Sequence, residues 1–247
     1  MKLMIKNTFS ILAIMSSALT IASGQTNDPL PSTADVVAKM MQLDAKRRSE
    51  MSGYTATRRY VAVNKKRQAE MLVGVACDIN GTKQFSIVSE EGSNSIRKHV
   101  LHKILNEEAE ASRAGTRNST RLTPENYDFQ LVGKEILETG PAYVLQVLPK
   151  SASKYLVDGK IWVDASDYSI VRIEGQPARD PSFWVRSVHF VHTYQKVGDF
   201  WLASSTHTIS DIRLFGSAEL TIENYGYTLN PPKDRATETF SVARVVQ

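Results

Sequence analysis

The chain has 247 residues, 42% hydrophobic and 23% charged, with 30 Lys and Arg against 26 Asp and Glu. Removing residues 1–24 takes away Lys2 and Lys6 and no acid, so 28 basic side chains face 26 acidic ones. A surplus of that size does not suit nucleic acid, which calls for a basic stripe or patch. Cys77 is the only cysteine, and this excludes an intramolecular disulfide.

Lys2 and Lys6 precede an apolar run from Phe9 to Ile21, and Ala22-Ser23-Gly24 offers a small-residue cleavage site before Gln25. The run is shorter than the ~20 residues that span a bilayer. We therefore expect residues 1–24 to be a cleaved signal peptide, with an uncleaved N-terminal anchor as the alternative, and residues 25–247 to form one exported domain. No cysteine stands at the cut for lipid attachment. Export without disulfides fits a bacterial periplasm.

Pro29 and Pro31 mark a flexible lead-in. Ser32 or Thr33 can cap a helix over residues 34–51, with Val36, Met40 and Leu43 on one stripe and Val37 and Met41 beside it. Lys46-Arg47-Arg48 falls near its C-terminus, where the helix dipole favours cations. Gly53 ends it. A strand from Tyr54 to Asn64 puts Tyr54, Ala56, Tyr60 and Ala62 on one face with Arg58 among them. The next strand aligns Met71, Val73, Val75, Cys77 and Ile79, which makes Cys77 a small buried hydrophobe. Asn80-Gly81 is a strong hairpin signal, and Lys83 to Glu90 returns as a third strand.

A second helix is predicted over residues 95–114, with Ile96, Val100, Leu101, Ile104 and Leu105 on its apolar face. The run Glu107-Glu108-Ala109-Glu110 reads as its solvated side. Residues 114–124 read as a polar loop. Strands then follow over 127–137, 142–148, 155–163, 170–174, 185–194, 200–214 and 218–229, joined by short turns. Phe240 to Val246 offers one more. Strands joined by tight turns are antiparallel, and about ten or eleven of them make a sheet wide enough to curl into a barrel or fold into a sandwich.

The chemistry-bearing residues fall into no catalytic pattern. His189 and His192 are three apart on a strand and point to opposite faces. His99 and His102 have no third ligand nearby. Asp164 and Asp167 suit turn formation. No nucleophile elbow, phosphate loop or metalloprotease helix occurs. We expect no catalytic residue, no metal and no cofactor.

Lys160-Ile161-Trp162-Val163-Asp164 followed by Ile170-Val171-Arg172-Ile173-Glu174-Gly175 resembles a segment of outer-membrane lipoprotein-sorting proteins. Tyr194 to Leu202 and Leu220 to Tyr225 fit the same pattern, as does the order of a leading helix, three strands, a second helix and a long meander. The mature chain thus resembles the LolA-like superfamily. That resemblance implies a mainly β fold with two principal helices: an incomplete antiparallel β-barrel with the helices on its concave face as a lid. It implies a periplasmic carrier that shields lipid or lipoprotein acyl chains. It also implies an inner-membrane transporter or outer-membrane receptor as partner, and a monomeric state. A lipid-sensing envelope-stress regulator and a non-carrier interaction protein are the alternatives on the same fold. The acyl cavity and lid would involve Met40, Met41, Leu43, Tyr60, Val73, Val75, Val100, Ile104 and Trp162. Phe183 and Trp184, two aromatics beside a proline loop, would cover the opening. In lipoprotein carriers an arginine on an early strand holds the lid closed, and Arg58 or Arg59 occupies a comparable place.

Overall fold

The computed structural model describes residues 29–180, 185–213 and 216–230. The signal segment, Phe183, Trp184 and the strand expected over 240–246 lie outside the described residues. Among the described residues, ten antiparallel strands form one sheet. They are β1 (Tyr54–Asn64), β2 (Gln68–Cys77), β3 (Lys83–Gly92), β4 (Tyr127–Leu137) and β5 (Gly140–Pro149). There follow β6 (Val157–Asp164), β7 (Ile170–Pro177), β8 (Val185–Val197), β9 (Phe200–Ile212) and β10 (Gly216–Leu229). The spatial order is β3-β2-β1-β10-β9-β8-β7-β6-β5-β4. Pairing of β1 with β10, which sets Tyr54 opposite Leu229 and Asn64 opposite Ala218, joins the N-terminal hairpins to the C-terminal meander. The sheet stays open, with β3 and β4 as its edges. It is the incomplete barrel expected above.

Helix α1 (Thr33–Glu50) begins at Ser32, whose Oγ accepts the Asp35 N–H at 3.1 Å, and ends with Arg47 and Arg48 in its last turn. Both choices match the helix dipole and leave fewer terminal groups unpaired. Thr33 Oγ1 accepts the Leu131 N–H at 3.0 Å and so ties the first turn to edge strand β4.

The chain between the two edge strands is helical but not as one regular helix. It comprises α2 (Asn94–Ile96), a π-helical turn (Arg97–Leu101), α3 (His102–Ala111) and α4 (Ala114–Thr120). The buried residues Ile96, Leu101 and Leu105 are spaced five and then four apart. The π turn brings Ile96 and Leu101 onto one face and rotates Val100 outward, where it is 39% exposed. Val100 therefore does not belong to the apolar stripe assigned to it from even helical spacing. The polar loop expected over 114–124 contains α4, whose Arg117 reaches across to the Asn80 carbonyl.

Two apolar clusters line the concave face. Val36, Val37 and Met40 of α1 pack on Tyr127, Leu145, Val147, Ile161 and Val163. Ile96, Leu101 and Leu105 pack on Tyr60, Ala62, Met71 and Val73. Each fully buried aliphatic side chain contributes about 1.5–3 kcal/mol, so the helices are held mainly by this contact. Ile79, expected on the core face, lies past the end of β2 and is 39% exposed. On β6 and β7, Gly159 stands opposite Gly175, and a Cβ at Gly159 would come within 2.1 Å of the Glu174 carbonyl oxygen. Two glycines are needed for that approach.

Candidate functional site: an arginine-rimmed cleft and a buried ion cluster

Between the two apolar clusters the concave face is polar. Arg58 of β1 is only 4% exposed. Its guanidinium donates to Asn224 Oδ1 at 2.6 Å, to the Tyr60 hydroxyl at 3.1 Å and to Glu108 Oε2 of α3 at 2.5 Å. Lys83 Nζ donates to the other oxygen of Glu108 at 2.8 Å. Burial alone would raise the Glu108 carboxyl, but Lys83 and Arg58 hold it down at about 2. Burial would likewise lower the Arg58 guanidinium, and Glu108 and Tyr60 outweigh it and raise it. The half-buried His192 of β8 faces the same cluster. Burial, with Lys83 and Arg58 beside it, pushes its imidazole down to about 4. Glu108 is thus part of an internal ion network, contrary to the solvated side assigned to its helix. The acid pairs with Arg58 of β1 and Lys83 of β3, so only tertiary contact reveals it.

Open space lies toward one end of the half-barrel. A cleft of about 590 Å³ runs between the C-terminal half of α1, the β2–β3 hairpin, α4 and the β6–β7 turn. That volume is within the ordinary range for small-ligand sites. Its apolar wall includes Met40, Met41 and Met51 of α1 and its end, with Leu122, Ile170 and Phe200 facing them. Cys77, Tyr194 and Trp201 also line it. Burial raises the Cys77 thiol, which keeps it protonated and unreactive. Arg47, Arg48, Arg117 and Arg121 stand along the rim with Asp44 and Asp78.

The cleft is built by contacts between distant segments. Arg47 Nη1 donates to the Asp167 carbonyl at 2.9 Å, and Lys39 Nζ to the Tyr168 hydroxyl at 3.3 Å, so α1 is fastened to the β6–β7 turn. That turn is shaped by Asp164, whose Oδ1 accepts the N–H of Ser166 at 2.8 Å and of Asp167 at 3.0 Å. Asp167 in turn accepts the Trp201 indole N–H at 2.9 Å and the Ser169 N–H at 2.9 Å. Burial works against its charge, yet these bonds keep the Asp167 carboxyl below the usual range.

Of the residues picked out from sequence, Met40 and Met41 line this cleft. Met40 is 1% exposed and belongs mainly to the core, whereas Met41 is half-buried. Leu43 is also half-buried and lies outside the lining. Tyr60 and Val73 are sealed under the second helical segment at 0% exposure, Val75 is 3% exposed, and Ile104 packs against the same cluster. These positions are filled by the protein itself. Trp162 must be corrected: its neighbours Ile161 and Val163 face α1, so its own side chain leaves the sheet on the opposite face. There it packs with Ala142, Val144 and Val171, and its indole N–H donates to Glu135 at 2.8 Å. The rim arginines carry no signal of a site in the sequence: the helix dipole accounts for Arg47 and Arg48, and nothing local distinguishes Arg117 or Arg121.

His189 and His192 do face opposite ways, the first toward Glu174 at 3.5 Å and the second toward Thr206. Among the described residues no group of three His, Cys, Asp or Glu is placed to hold a metal ion. No described helix is long and apolar enough to cross a membrane.

No family model matches the sequence, and no curated protein does. Similar solved structures include a DUF1329 family protein from Desulfovibrio piger, at 11% identity and a TM-score of 0.45, covering 81% of this chain and 94% of that one. A LolA superfamily protein from Nitrosomonas europaea aligns at 10% identity and 0.37, covering 83% and 97%. An outer membrane lipoprotein-sorting protein domain from Vibrio parahaemolyticus aligns at 12% identity and 0.40, covering 84% and 98%. Values this low assign no role to individual residues.

Proposed function

We propose that this protein is an exported carrier that shields an acyl chain of a lipid or lipoprotein from water in the cleft between α1, the β2–β3 hairpin and α4. The observation that supports it is the cleft itself: open space of about 590 Å³ against methionine, aromatic and aliphatic side chains. Methionines suit a chain of variable shape because they repack at low cost. Ten covered methylenes would contribute about 8 kcal/mol, against an association cost of at least about 4 kcal/mol. In this reading residues 1–24 are the signal peptide and the chain works in the periplasm. Binding and release involve no covalent step. Release follows movement of the segment 94–120, which the Arg58–Glu108 pair ties to β1. Among the described residues, the two apolar clusters fill the contact between the helices and the sheet. In this reading the cargo sits in the cleft rather than among the side chains of those clusters.

Uptake of a fluorescent fatty acid tests the reading. Met41→Glu places a charge in the wall at a half-buried position and should weaken uptake at least about tenfold, the effect of burying an unpaired polar group. Far-UV circular dichroism should stay that of a folded protein, although the unfolding midpoint falls because Met41 also packs against the core. Equal uptake by a folded Met41→Glu protein would remove the cleft from the proposal.

A further inference from the structure

The mouth of the cleft carries charge that an acyl chain does not use. Four guanidiniums line it against two carboxylates. The two carboxylates leave a surplus of two positive charges along the rim. Asp44 is shared between Arg48 and Arg121. Asp78 Oδ1 is occupied by the N–H groups of Asn80 and Thr82, each at 2.8 Å. Arg47 and Arg117 donate to backbone carbonyls, which satisfy hydrogen bonds without cancelling charge. Arg121 and Arg117 are close enough to Arg48 to disfavour its charge. The Arg48 guanidinium is held below its usual range first by partial burial and then by Arg121 and Arg117. Gly81 leaves room for this crowding, since a Cβ there would come within 2.5 Å of Arg117 Nη1. On the wall formed by the β6–β7 turn, Ser169 Oγ is buried without a hydrogen-bond partner among the described residues.

We propose that Arg48, Arg117 and Arg121 bind the anionic headgroup, a phosphate or carboxylate, of the amphiphile whose acyl chain lies in the cleft. The proposal rests on the carrier reading above and adds the class of lipid. Three arginines drawn from α1, α4 and the loop after it converge on one opening, where an anion would offset their like charge. The guanidinium fork matches carboxylate and phosphate oxygens two at a time, which an ammonium does not do. The same charges would draw anionic lipid toward the opening, an effect that weakens with salt.

Calorimetric titration with four probes tests this: oleic acid, oleoyl lysophosphatidylglycerol, the uncharged monooleoylglycerol, and inorganic phosphate. The two anionic lipids should bind at least about tenfold more tightly than monooleoylglycerol, as charge-assisted hydrogen bonds warrant. The double variant Arg117→Gln, Arg121→Gln should abolish the preference, so that within the variant the two anionic lipids bind no more tightly than monooleoylglycerol. Arg48→Gln, at a half-exposed position, should produce part of the same loss if the double variant fails to fold. Equal affinity for all three lipids in wild type would overturn the headgroup assignment while leaving the carrier reading intact. Phosphate alone binding as tightly as the lysophospholipid would replace it with a free-anion site. Failure of every lipid to bind would instead remove the carrier reading.

Discussion

Glu108→Gln keeps the shape of the side chain and removes its charge, which isolates what the ion cluster contributes. The Glu108 carboxyl sits at about 2 instead of its ordinary 4.5. At about 1.4 kcal/mol per unit, the folded protein favours the ionised form by about 3 kcal/mol. The side chain is 25% exposed, so solvent trims that figure. Against this, the variant leaves Arg58, 5% exposed at the side chain, with no anionic partner. We expect a loss of about 3 kcal/mol at pH 7, or roughly 6–12 °C in Tm for a domain of this size. Because the folded value is lowered, the contribution is complete above the unfolded value and is lost as pH falls from about 4.5 toward 2. Urea unfolding of both proteins at pH 7 and pH 3.5 should therefore show a gap that narrows by about 1 kcal/mol in acid. Hydrogen exchange adds the location. Amides over 94–111 should exchange faster in the variant while those of β5 and β6 do not. A variant as stable as wild type at pH 7, or a gap of constant size, would refute the idea that this pair fastens the helical segment to the sheet.

His192 should stay neutral through physiological pH. Since its folded value is about 4, the unfolded chain takes up the proton first. Stability attached to it is then full above about 6.5 and lost as pH falls toward 4, by at most about 3 kcal/mol. A proton NMR titration showing His192 charged at pH 6 would contradict this. Trp162→Ala should cost about 3–5 kcal/mol by urea unfolding, as a cavity in a packed cluster. It should leave fatty-acid affinity of the folded protein unchanged, and a loss of affinity would put Trp162 back in the binding site. Ser32→Ala removes the acceptor for the Asp35 N–H and should lower stability by about 1 kcal/mol, read as a shift in the urea midpoint at constant slope.

Local pattern decided the elements. Alternation over Tyr54–Asn64 and Met71–Cys77, and the Asn80-Gly81 and Asp164–Asp167 turns, are short-range signals, and the strands stand where those signals place them. Ser32 and the arginines of the last turn likewise bracket α1. These features depend on side-chain period and turn chemistry within a few residues, which a sequence states directly. The π turn was also present in the sequence, as the five-residue step from Ile96 to Leu101. The nearer Val100 masked it by completing an ordinary four-residue step.

Only the folded chain decided the site. The β1–β10 pairing joins residues 54 and 229 and sets which strands become edges. Once the sheet curves, Arg58, Lys83 and Glu108 meet from two strands and a helix, and Arg48, Arg117 and Arg121 meet from two helices and a loop. Arg58 stands out locally, on the apolar face of its strand, but Lys83, Glu108 and the three rim arginines each look like ordinary surface charge in their own neighbourhood. Charge has no periodicity that marks its partner, so an ion cluster or an anion-binding rim exists in the sequence only as scattered positions. Trp162 makes the same point for an apolar residue: strand alternation gave it a face, and the placement of α1 determined which face encloses the cleft.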